Sequence, residues 1–246
     1  MTDTSVMDEE VARFEALADQ WWDPEGDFAP LHKINPVRLK FIRDHLCELA
    51  GTDPLSPMPL EGLKILDIGC GGGLLCEPLS RLGASVTGID AGEKNILIAA
   101  NHATRMGLNI RYHRMSPEEA IADGQKYDAV LNMEVIEHVA DINVFMEACG
   151  ALVQPGGGMV GATLNRTLKS LAFAKIGAEY ILRWLPPGTH DWRAFVKPSE
   201  FSAVLRQQGF AVKDLKGLAY NLVFDEWTLD RDLAVNYLIY AVKARD

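Results

Sequence analysis

Three ionisable residues, Glu134, Glu137 and His138, stand together in the stretch MEVIEHV, directly after an apolar run typical of a buried strand. Carboxylates and an imidazole can take the proton from a hydroxyl group, or they can bind a divalent cation such as Mg²⁺. Glu134 and His138 are four positions apart and share one face if the stretch is helical. We hypothesise that the three face a substrate hydroxyl, with His138 as the base or all three as metal ligands. The alternative is that His138 caps a helix and the glutamates are solvated.

The stretch from Lys64 to Asp90 has the order strand, glycine turn, helix, strand and acid. This order is typical of the first half of a nucleotide-binding α/β sheet. Glycines such as Gly69 and Gly71 allow a ligand to approach the backbone closely, and the free N–H groups of the next helix add positive potential there. A carboxylate at Asp90 can accept both hydroxyl groups of a ribose. The alternative is a tight connection that binds nothing.

A dinucleotide fingerprint requires a third glycine where this chain has Leu74, so a nicotinamide or flavin oxidoreductase is disfavoured. A nucleoside ligand without phosphates fits the turn better. The pattern D-x-G-C-G-x-G, which contains Asp67, Gly69 and Gly71, resembles motif I of the S-adenosylmethionine-dependent methyltransferases.

The elements that position these residues alternate between strands and helices, which predicts a mostly parallel α/β sheet with helices on both faces. Helical patterns cover 7–22, 36–49, 74–82, 93–106, 134–153 and 198–208, and strand patterns cover 110–114, 127–133, 158–164, 210–215 and 237–243. Ligands of such sheets bind at the carboxyl ends of the strands. Asp67, Gly69, Asp90 and Met133 all fall at such ends, so we expect one shared site.

The composition predicts an ordinary globular protein whose partners do not include nucleic acid. Of the net charge of −10, residues 1–27 contribute −8, with nine acids against one arginine, and no basic stripe is present elsewhere. No uncharged apolar run reaches the roughly 18 residues that a transmembrane helix needs. The acidic N-terminus does not resemble a secretory signal, and the four cysteines show no disulfide or zinc spacing. We therefore expect a reduced, cytoplasmic protein.

Longer strings extend the resemblance over nearly the whole chain, among them WWDPEGDF, INPVRL and GAEYILR. With these strings the chain resembles the ubiquinone-biosynthesis O-methyltransferase family. The resemblance implies methylation of phenolic hydroxyls on polyprenylated ubiquinone precursors, at a polyprenyl catechol step and a demethylubiquinol step. It also implies a single Rossmann-like class I methyltransferase domain, with a seven-stranded, mostly parallel sheet whose last strand is antiparallel.

The resemblance assigns S-adenosylmethionine contacts to Arg38, Gly69, Asp90 and Met133. Asp67 and Gly71 of the glycine motif are added as cofactor-binding residues. A solvated helix charge is the alternative interpretation of Arg38. The adenine contact stays unassigned, because Met115–Pro117 stand where many methyltransferases have an acid.

The segment 168–185 predicts a basic amphipathic helix with Trp and Phe, and residues 164–185 carry four basic residues against Glu179. Such a helix can lie in an anionic membrane interface and reach a prenylated substrate there. A lid packed over the sheet is the alternative. We expect a peripheral position on the inner membrane, where other ubiquinone-biosynthesis proteins are candidate partners. His190 and Asp191 are second catalytic candidates, with a structural loop as the alternative.

The predicted organisation has a helical cap and linker over 1–59 and a methyltransferase domain over 60–246, with a helical insertion at 164–197. Two other functions stay open at this point. One is a methyltransferase that acts on another small phenol or on a carbon acceptor. The other is a non-catalytic partner protein that binds S-adenosylmethionine.

Overall fold

A computed structural model describes residues 4–172 and 192–245. Its helices are α1 Asp8–Leu17, α2 Ala29–Ala50, α3 Cys76–Arg81, α4 Glu93–Arg105, α5 Pro117–Ala120, α6 Ile142–Leu152, α7 Leu168–Leu171 and α8 Pro198–Gln207. Its strands are β1 Lys64–Ile68, β2 Ser85–Asp90, β3 Arg111–Arg114, β4 Tyr127–Met133, β5 Val153–Leu164, β6 Phe210–Asn221, β7 Glu226–Asp230 and β8 Asn236–Lys243.

Within the described residues, one sheet of eight strands has the order β3-β2-β1-β4-β5-β8-β6-β7. Strands β1 to β5 are parallel, and β8 runs antiparallel to both β5 and β6. The predicted Rossmann-like architecture with an antiparallel last strand is confirmed. The eighth strand corrects the expected seven. Strand β6 continues past Leu215 to Asn221 and turns into β7, which pairs antiparallel with it at the sheet edge.

Helix α2 begins at Ala29, seven residues before the predicted start at Pro36. Pro30 occupies the first turn of α2, where the missing N–H of a proline costs no hydrogen bond. Pro30 therefore has the position at the helix start that the sequence predicted for Pro36. Pro36 lies inside the helix and removes one backbone hydrogen bond there. Burial of Ile34, Phe41 and Leu46 along the same helix offsets that loss. The predicted helix over 7–22 is present as α1 followed by a 3-10 turn at Ala18–Gln20.

The two faces of the sheet carry separate hydrophobic cores. Helices α2 and α3 pack on one face with side chains of β1 and β4, and α6 and α8 pack on the other face. Helix α2 therefore shares the main core, although the sequence suggested a cap over 1–59. The proposed boundaries of that cap and of the domain over 60–246 stay a prediction. A third, small cluster of Ala18, Trp21 and Phe28 lies over the glycine turn.

The predicted insertion over 164–197 begins after β5, and only its two ends lie within the described residues. These ends contain α7 and a 3-10 turn at Trp192–Ala194. Most of the predicted amphipathic helix over 168–185, together with His190 and Asp191, lies outside the described residues. No helix in the described part of the chain is long and apolar enough to cross a membrane.

Candidate active site

A cavity of about 670 Å³ opens at the carboxyl ends of the parallel strands. Most of the residues predicted from the sequence line this cavity: Arg38, Asp67, Gly69, Gly71, Asp90, Met133, Glu134 and His138. These residues lie far apart in the chain. They meet here because parallel strands place their carboxyl ends, where ligands bind, at the same edge of the sheet. Met115–Pro117, which the sequence left without a role, line it as well.

The glycine turn can have its shape only because Gly69 and Gly71 lack side chains. Gly69 and Gly71 have φ angles of +66° and +52°, in the left-handed region that favours glycine. A Cβ at Gly69 would stand 2.5 Å from the side chain of Val135, and one at Gly71 would stand 2.4 Å from the ring of Trp21. The turn is therefore packed tightly against Val135 and Trp21, and of its glycines only Gly69 is exposed to the cavity.

Gly69→Ala is expected to destabilise the fold by roughly 2–5 kcal/mol, because it adds left-handed backbone strain and a collision with Val135. Gly51→Ala is the matched control, since Gly51 has a φ of +70° and open space where a Cβ would stand. We expect the control to lose only about 1–2 kcal/mol. Urea unfolding of both variants measures the difference, and equal losses would show that Val135 does not confine the turn.

Asp90 ends β2 with its carboxylate facing the glycine turn. It accepts hydrogen bonds from the N–H of Gly71 (3.0 Å), the N–H of Gly92 (2.8 Å) and the side chain of Asn95 (3.1 Å). Burial raises the pKa of Asp90, and these hydrogen bonds act against that increase. Burial also raises the pKa of Asp67 to about 7, and Asp67 accepts a hydrogen bond from the Cys76 thiol at 3.2 Å.

The N-terminal segment supplies a wall of the cavity that sequence reasoning did not assign. Trp21 lies against Gly71, stacks on Phe28 with ring centroids 3.8 Å apart, and donates a hydrogen bond to Asn95 at 2.9 Å. Trp22 donates to the carbonyl of Gly72 at 2.9 Å. In the sequence, the string WWDPEGDF carries only a family resemblance. Its two tryptophans hold the glycine turn.

Arg38 is buried and is not the solvated charge that its position in a helix allowed. Its side chain is 4% exposed and forms an ion pair with Glu134, whose side chain is 33% exposed. The Nε of Arg38 is buried without a hydrogen-bond partner among the described residues. A buried guanidinium donor without a partner is costly, and it suits a carboxylate of a bound ligand.

His138 lines the cavity and pairs with a residue from α1. Its Nδ1 lies 2.8 Å from the carboxylate of Glu10, and its ring meets the edge of Phe14 with centroids 5.4 Å apart. Burial lowers the pKa of His138, but the hydrogen bond to Glu10 and the nearby carboxylates outweigh burial, so the pKa is raised overall. A carboxylate on one ring nitrogen fixes the orientation of the imidazole.

Glu134, Glu137 and His138 do not share a helical face, which corrects the prediction from their spacing. Glu134 has a φ of +60°, a 3-10 turn covers Ile136–His138, and α6 begins only at Ile142. Glu137 is buried behind the cavity wall, where burial raises its pKa to about 7. Neither of its carboxylate oxygens has a hydrogen-bond partner in the described part of the chain.

The hypothesised metal site is not assembled by these positions. Glu134 pairs with Arg38, His138 pairs with Glu10, and Glu137 faces away from the cavity. Among residues 4–172 and 192–245, no group of three His, Cys, Asp or Glu side chains is placed to hold a metal ion. The arrangement fits a histidine base better than a set of three metal ligands.

Helix α1 lies across the cavity and is attached at several points. The Glu15 carboxylate accepts a hydrogen bond from the N–H of Lys94 (3.0 Å), which opens α4 near Asp90. Ahead of α1, the N–H of Ser5 donates to Glu118 (3.2 Å), and its carbonyl accepts from the N–H of Ala140 (2.8 Å). With the Glu10–His138 pair, these contacts hold α1 over both the glycine turn and the histidine.

Comparisons with known proteins identify the family and the fold. A family model described as "Methyltransferase domain" matches residues 38–215. The chain is 54% identical to the ubiquinone biosynthesis O-methyltransferase of Chelativorans sp. (strain BNC1), over 98% of this chain and 95% of the relative. It is 52% identical to the protein of that name from Sinorhizobium fredii (strain NBRC 101917 / NGR234), over 97% of this chain and 96% of the relative.

Among solved structures, the fold is similar to that of magnesium protoporphyrin IX methyltransferase from Synechocystis PCC 6803 with bound SAH. The TM-score is 0.63 with 19% identity, over 95% of this chain and 94% of the other. The structure of the same enzyme with bound SAM gives a TM-score of 0.63 with 17% identity, over 99% of this chain and 100% of the other. At these identities the likeness concerns the fold.

Proposed function

This chain belongs to the ubiquinone biosynthesis O-methyltransferase family, and we propose that it methylates phenolic hydroxyls of polyprenylated ubiquinone precursors. The proposed acceptors are the polyprenyl catechol and the demethylubiquinol of the two family steps. S-adenosylmethionine is the methyl donor. The observation that carries the proposal is the convergence of the glycine turn, Asp90, Arg38 and the His138–Glu10 pair on one cavity.

The residues of the cavity fit S-adenosylmethionine at both of its ends. The glycine turn at Gly69 and Gly71 and the carboxylate of Asp90 suit a ribose and its nucleoside. The unpartnered Nε of Arg38 suits the carboxylate of the methionine end. When bound, this cofactor supplies a methyl group on a positively charged sulfur. Met133 lines the cavity at the end of β4, the strand next to β1.

The chain's own residues then have two tasks, which are to position the acceptor and to remove its proton. Holding reacting atoms in line can supply roughly 7–11 kcal/mol of the barrier. Neutral His138, oriented by Glu10, takes the phenolic proton. Apolar residues at the β7 end of the cavity, including Trp227, Val235 and Leu164, provide a surface for a substituted aromatic ring.

The test is turnover of labelled S-adenosylmethionine with a short-chain demethylubiquinol, with a polyprenyl catechol analogue in parallel. Methylated product from both acceptors supports the proposal. Cofactor binding without product from either would support a non-catalytic binding protein, and product only from another phenol or a carbon acceptor would redirect the substrate class.

The same assay with a chelator, followed by Mg²⁺, tests the metal hypothesis. Activity that falls with the chelator and returns with Mg²⁺ would require Glu134, Glu137 and His138 to converge when the acceptor binds, since they are separate here. Activity that is unaffected by exhaustive chelation leaves His138 as the base without a metal.

We further propose that the segment 168–185 binds an anionic membrane surface, which would give a cytoplasmic enzyme a peripheral position on the inner membrane. The support is its sequence pattern together with Leu168, which is 79% exposed at the start of α7. Lys169 forms an ion pair with Asp232, so it contributes less to the basic face than the sequence suggested.

Binding to anionic liposomes is expected to weaken with added salt and on removal of 168–185, because charge attraction is screened. Flotation with the full chain and with the deletion variant measures both effects. A full-length protein that stays unbound at low salt would contradict this role.

A further inference from the structure

The hairpin of β6 and β7 projects beyond the edge of the sheet at which the cavity opens. Strand β6 pairs with β8 as far as Gly217, which is opposite Tyr237. The neighbouring pair of β5 and β8 ends at Leu164 and Asn236, at nearly the same level. The last residues of β6, up to Asn221, pair with β7 alone. At about 3.4 Å per residue, the hairpin extends roughly 13 Å past the sheet.

The tip of this hairpin presents three consecutive apolar side chains to solvent. Leu222, Val223 and Phe224 are 75%, 85% and 72% exposed, whereas the other large exposed apolar side chains of the described residues stand singly or two or more positions apart. Single exposed apolar residues are ordinary, but a contiguous exposed group marks an interaction site.

The tip is held in shape by polar groups on its inner side. The side chain of Asn221 accepts hydrogen bonds from the N–H groups of Val223 (2.9 Å) and Phe224 (3.3 Å). Asp225 accepts hydrogen bonds from the Tyr220 hydroxyl and, at 2.9 Å, from Lys33 of α2. These bonds fix a turn whose apolar side chains point outward.

Behind the apolar tip, the hairpin carries the residue types that stand at the boundary between lipid and water. Tyr220 and Trp227 form a cross-strand pair with ring centroids 5.2 Å apart, and Lys33 lies beside them with its side chain 44% exposed. Tyrosine and tryptophan are enriched at membrane interfaces, where lysine extends its charge toward the headgroups. Trp227 also lines the cavity, so the hairpin joins the tip to the site.

We infer that the tip Leu222–Phe224 inserts into the apolar boundary of a lipid bilayer and places the cavity at the membrane surface. The insertion itself does not depend on the proposed function. Only its role, which is to take a prenylated acceptor from the bilayer, rests on that function. The tip is convex, so it suits a fluid apolar phase. Lys33 and Asp225 neutralise each other beside it. Insertion therefore needs no anionic lipid, in contrast to the contact proposed for 168–185.

A fluorophore at the tip tests the insertion directly. The four native cysteines are buried, so Val223→Cys in the full chain provides one exposed thiol for an environment-sensitive nitrobenzoxadiazole label. Leu55→Cys is the matched control, because Leu55 is also 85% exposed but lies before β1, at the opposite edge of the sheet.

With neutral phosphatidylcholine vesicles, we expect a blue shift and a several-fold rise in emission at position 223 and no change at 55. A label at 223 that stays in water while the protein floats with vesicles would overturn the inference, as would no binding at all. The same spectral change at rising protein concentration without vesicles would identify a second copy of the chain as the occupant, which also overturns it.

A triple variant, Leu222→Ser with Val223→Ser and Phe224→Ser, measures the size of the effect. Each large apolar side chain withdrawn from lipid is expected to reduce partitioning roughly tenfold, so the triple variant should bind neutral vesicles on the order of a thousandfold more weakly. Leu55→Ser should bind as the parent does. Equal partitioning of the triple variant and the parent would contradict the inference.

Turnover separates this role from the proposed function. The triple variant should methylate a short-chain, water-soluble acceptor at the parent rate, and its KM for a long-chain acceptor in vesicles should rise several-fold. An unchanged KM in vesicles would overturn the role in acceptor capture. If the parent itself shows no turnover, the proposed function fails, and the label at 223 still decides the membrane contact.

Discussion

Arg38→Met is expected to weaken the binding of S-adenosylmethionine by about 30-fold or more, which corresponds to roughly 2 kcal/mol. The substitution keeps the volume of the buried side chain but removes the charge and the Nε donor that has no partner among the described residues. A charged, buried hydrogen-bond donor contributes more to binding than a neutral one. Isothermal titration calorimetry with the full chain measures the change.

Two further variants separate ligand contact from loss of structure. Arg38→Lys keeps the charge near Glu134 but lacks the planar guanidinium, and we expect it to bind the cofactor less tightly than the parent. Arg43→Met, on the same helix, removes a half-buried arginine that pairs with Asp44 and should leave affinity unchanged. A folded Arg38→Met protein with parental affinity would remove Arg38 from the cofactor site.

His138→Ala is expected to lower kcat by about 100-fold or more near neutral pH, the range that a general base contributes. Its affinity for S-adenosylmethionine should change little, because His138 is assigned to the acceptor's proton and not to the cofactor. Single-turnover measurements with saturating cofactor test this expectation. Unchanged turnover would remove His138 as the base.

Glu10→Gln is expected to shift the pH dependence of kcat, and the sign follows from the pKa of His138. The base must be neutral, so activity rises as pH passes that pKa. Since Glu10 raises the pKa, its removal should move the rising limb toward lower pH. A parallel loss at every pH, without a shift, would indicate that Glu10 only attaches α1.

The sequence predicted the parts of the site that lie on strand ends. Gly69 and Asp90 follow short apolar runs that indicate buried strands, and parallel strands place their carboxyl ends at one edge. The local sequence was sufficient to predict these residues, because ligands of parallel sheets bind at the carboxyl ends of the strands. Their roles as cofactor contacts stay predictions.

The residues that the sequence did not predict reach the site through contacts between distant segments. Trp21 and Asn95 are 74 positions apart, and the partner of His138 comes from α1. Helical periodicity identifies the apolar side of α1 but not the element that this side covers. The sequence also did not predict the left-handed backbone conformation of Glu134. Non-glycine residues seldom adopt this conformation, and the surrounding sequence has a helical pattern.

The sequence did not predict the edge strand β7, because the turn before it also depends on contacts between distant segments. Its five residues alternate between exposed and half-buried side chains, and no glycine or asparagine-glycine pair marks the turn before it. The turn is instead closed by the side chains of Asn221 and Asp225, one of them bonded to a helix nearly 200 positions earlier. Such a turn becomes evident only in three dimensions.

The attachment of α1 bears on how fast the protein can work. Helix α1 forms part of the cavity wall and is tied to Lys94 and His138, and Ser5 ahead of it is tied to Ala140, so we expect exchange of spent for fresh cofactor to require those ties to separate. Such segment motions commonly take microseconds to milliseconds and often limit turnover. Release of α1 would then limit kcat, and a more reactive acceptor would not raise kcat.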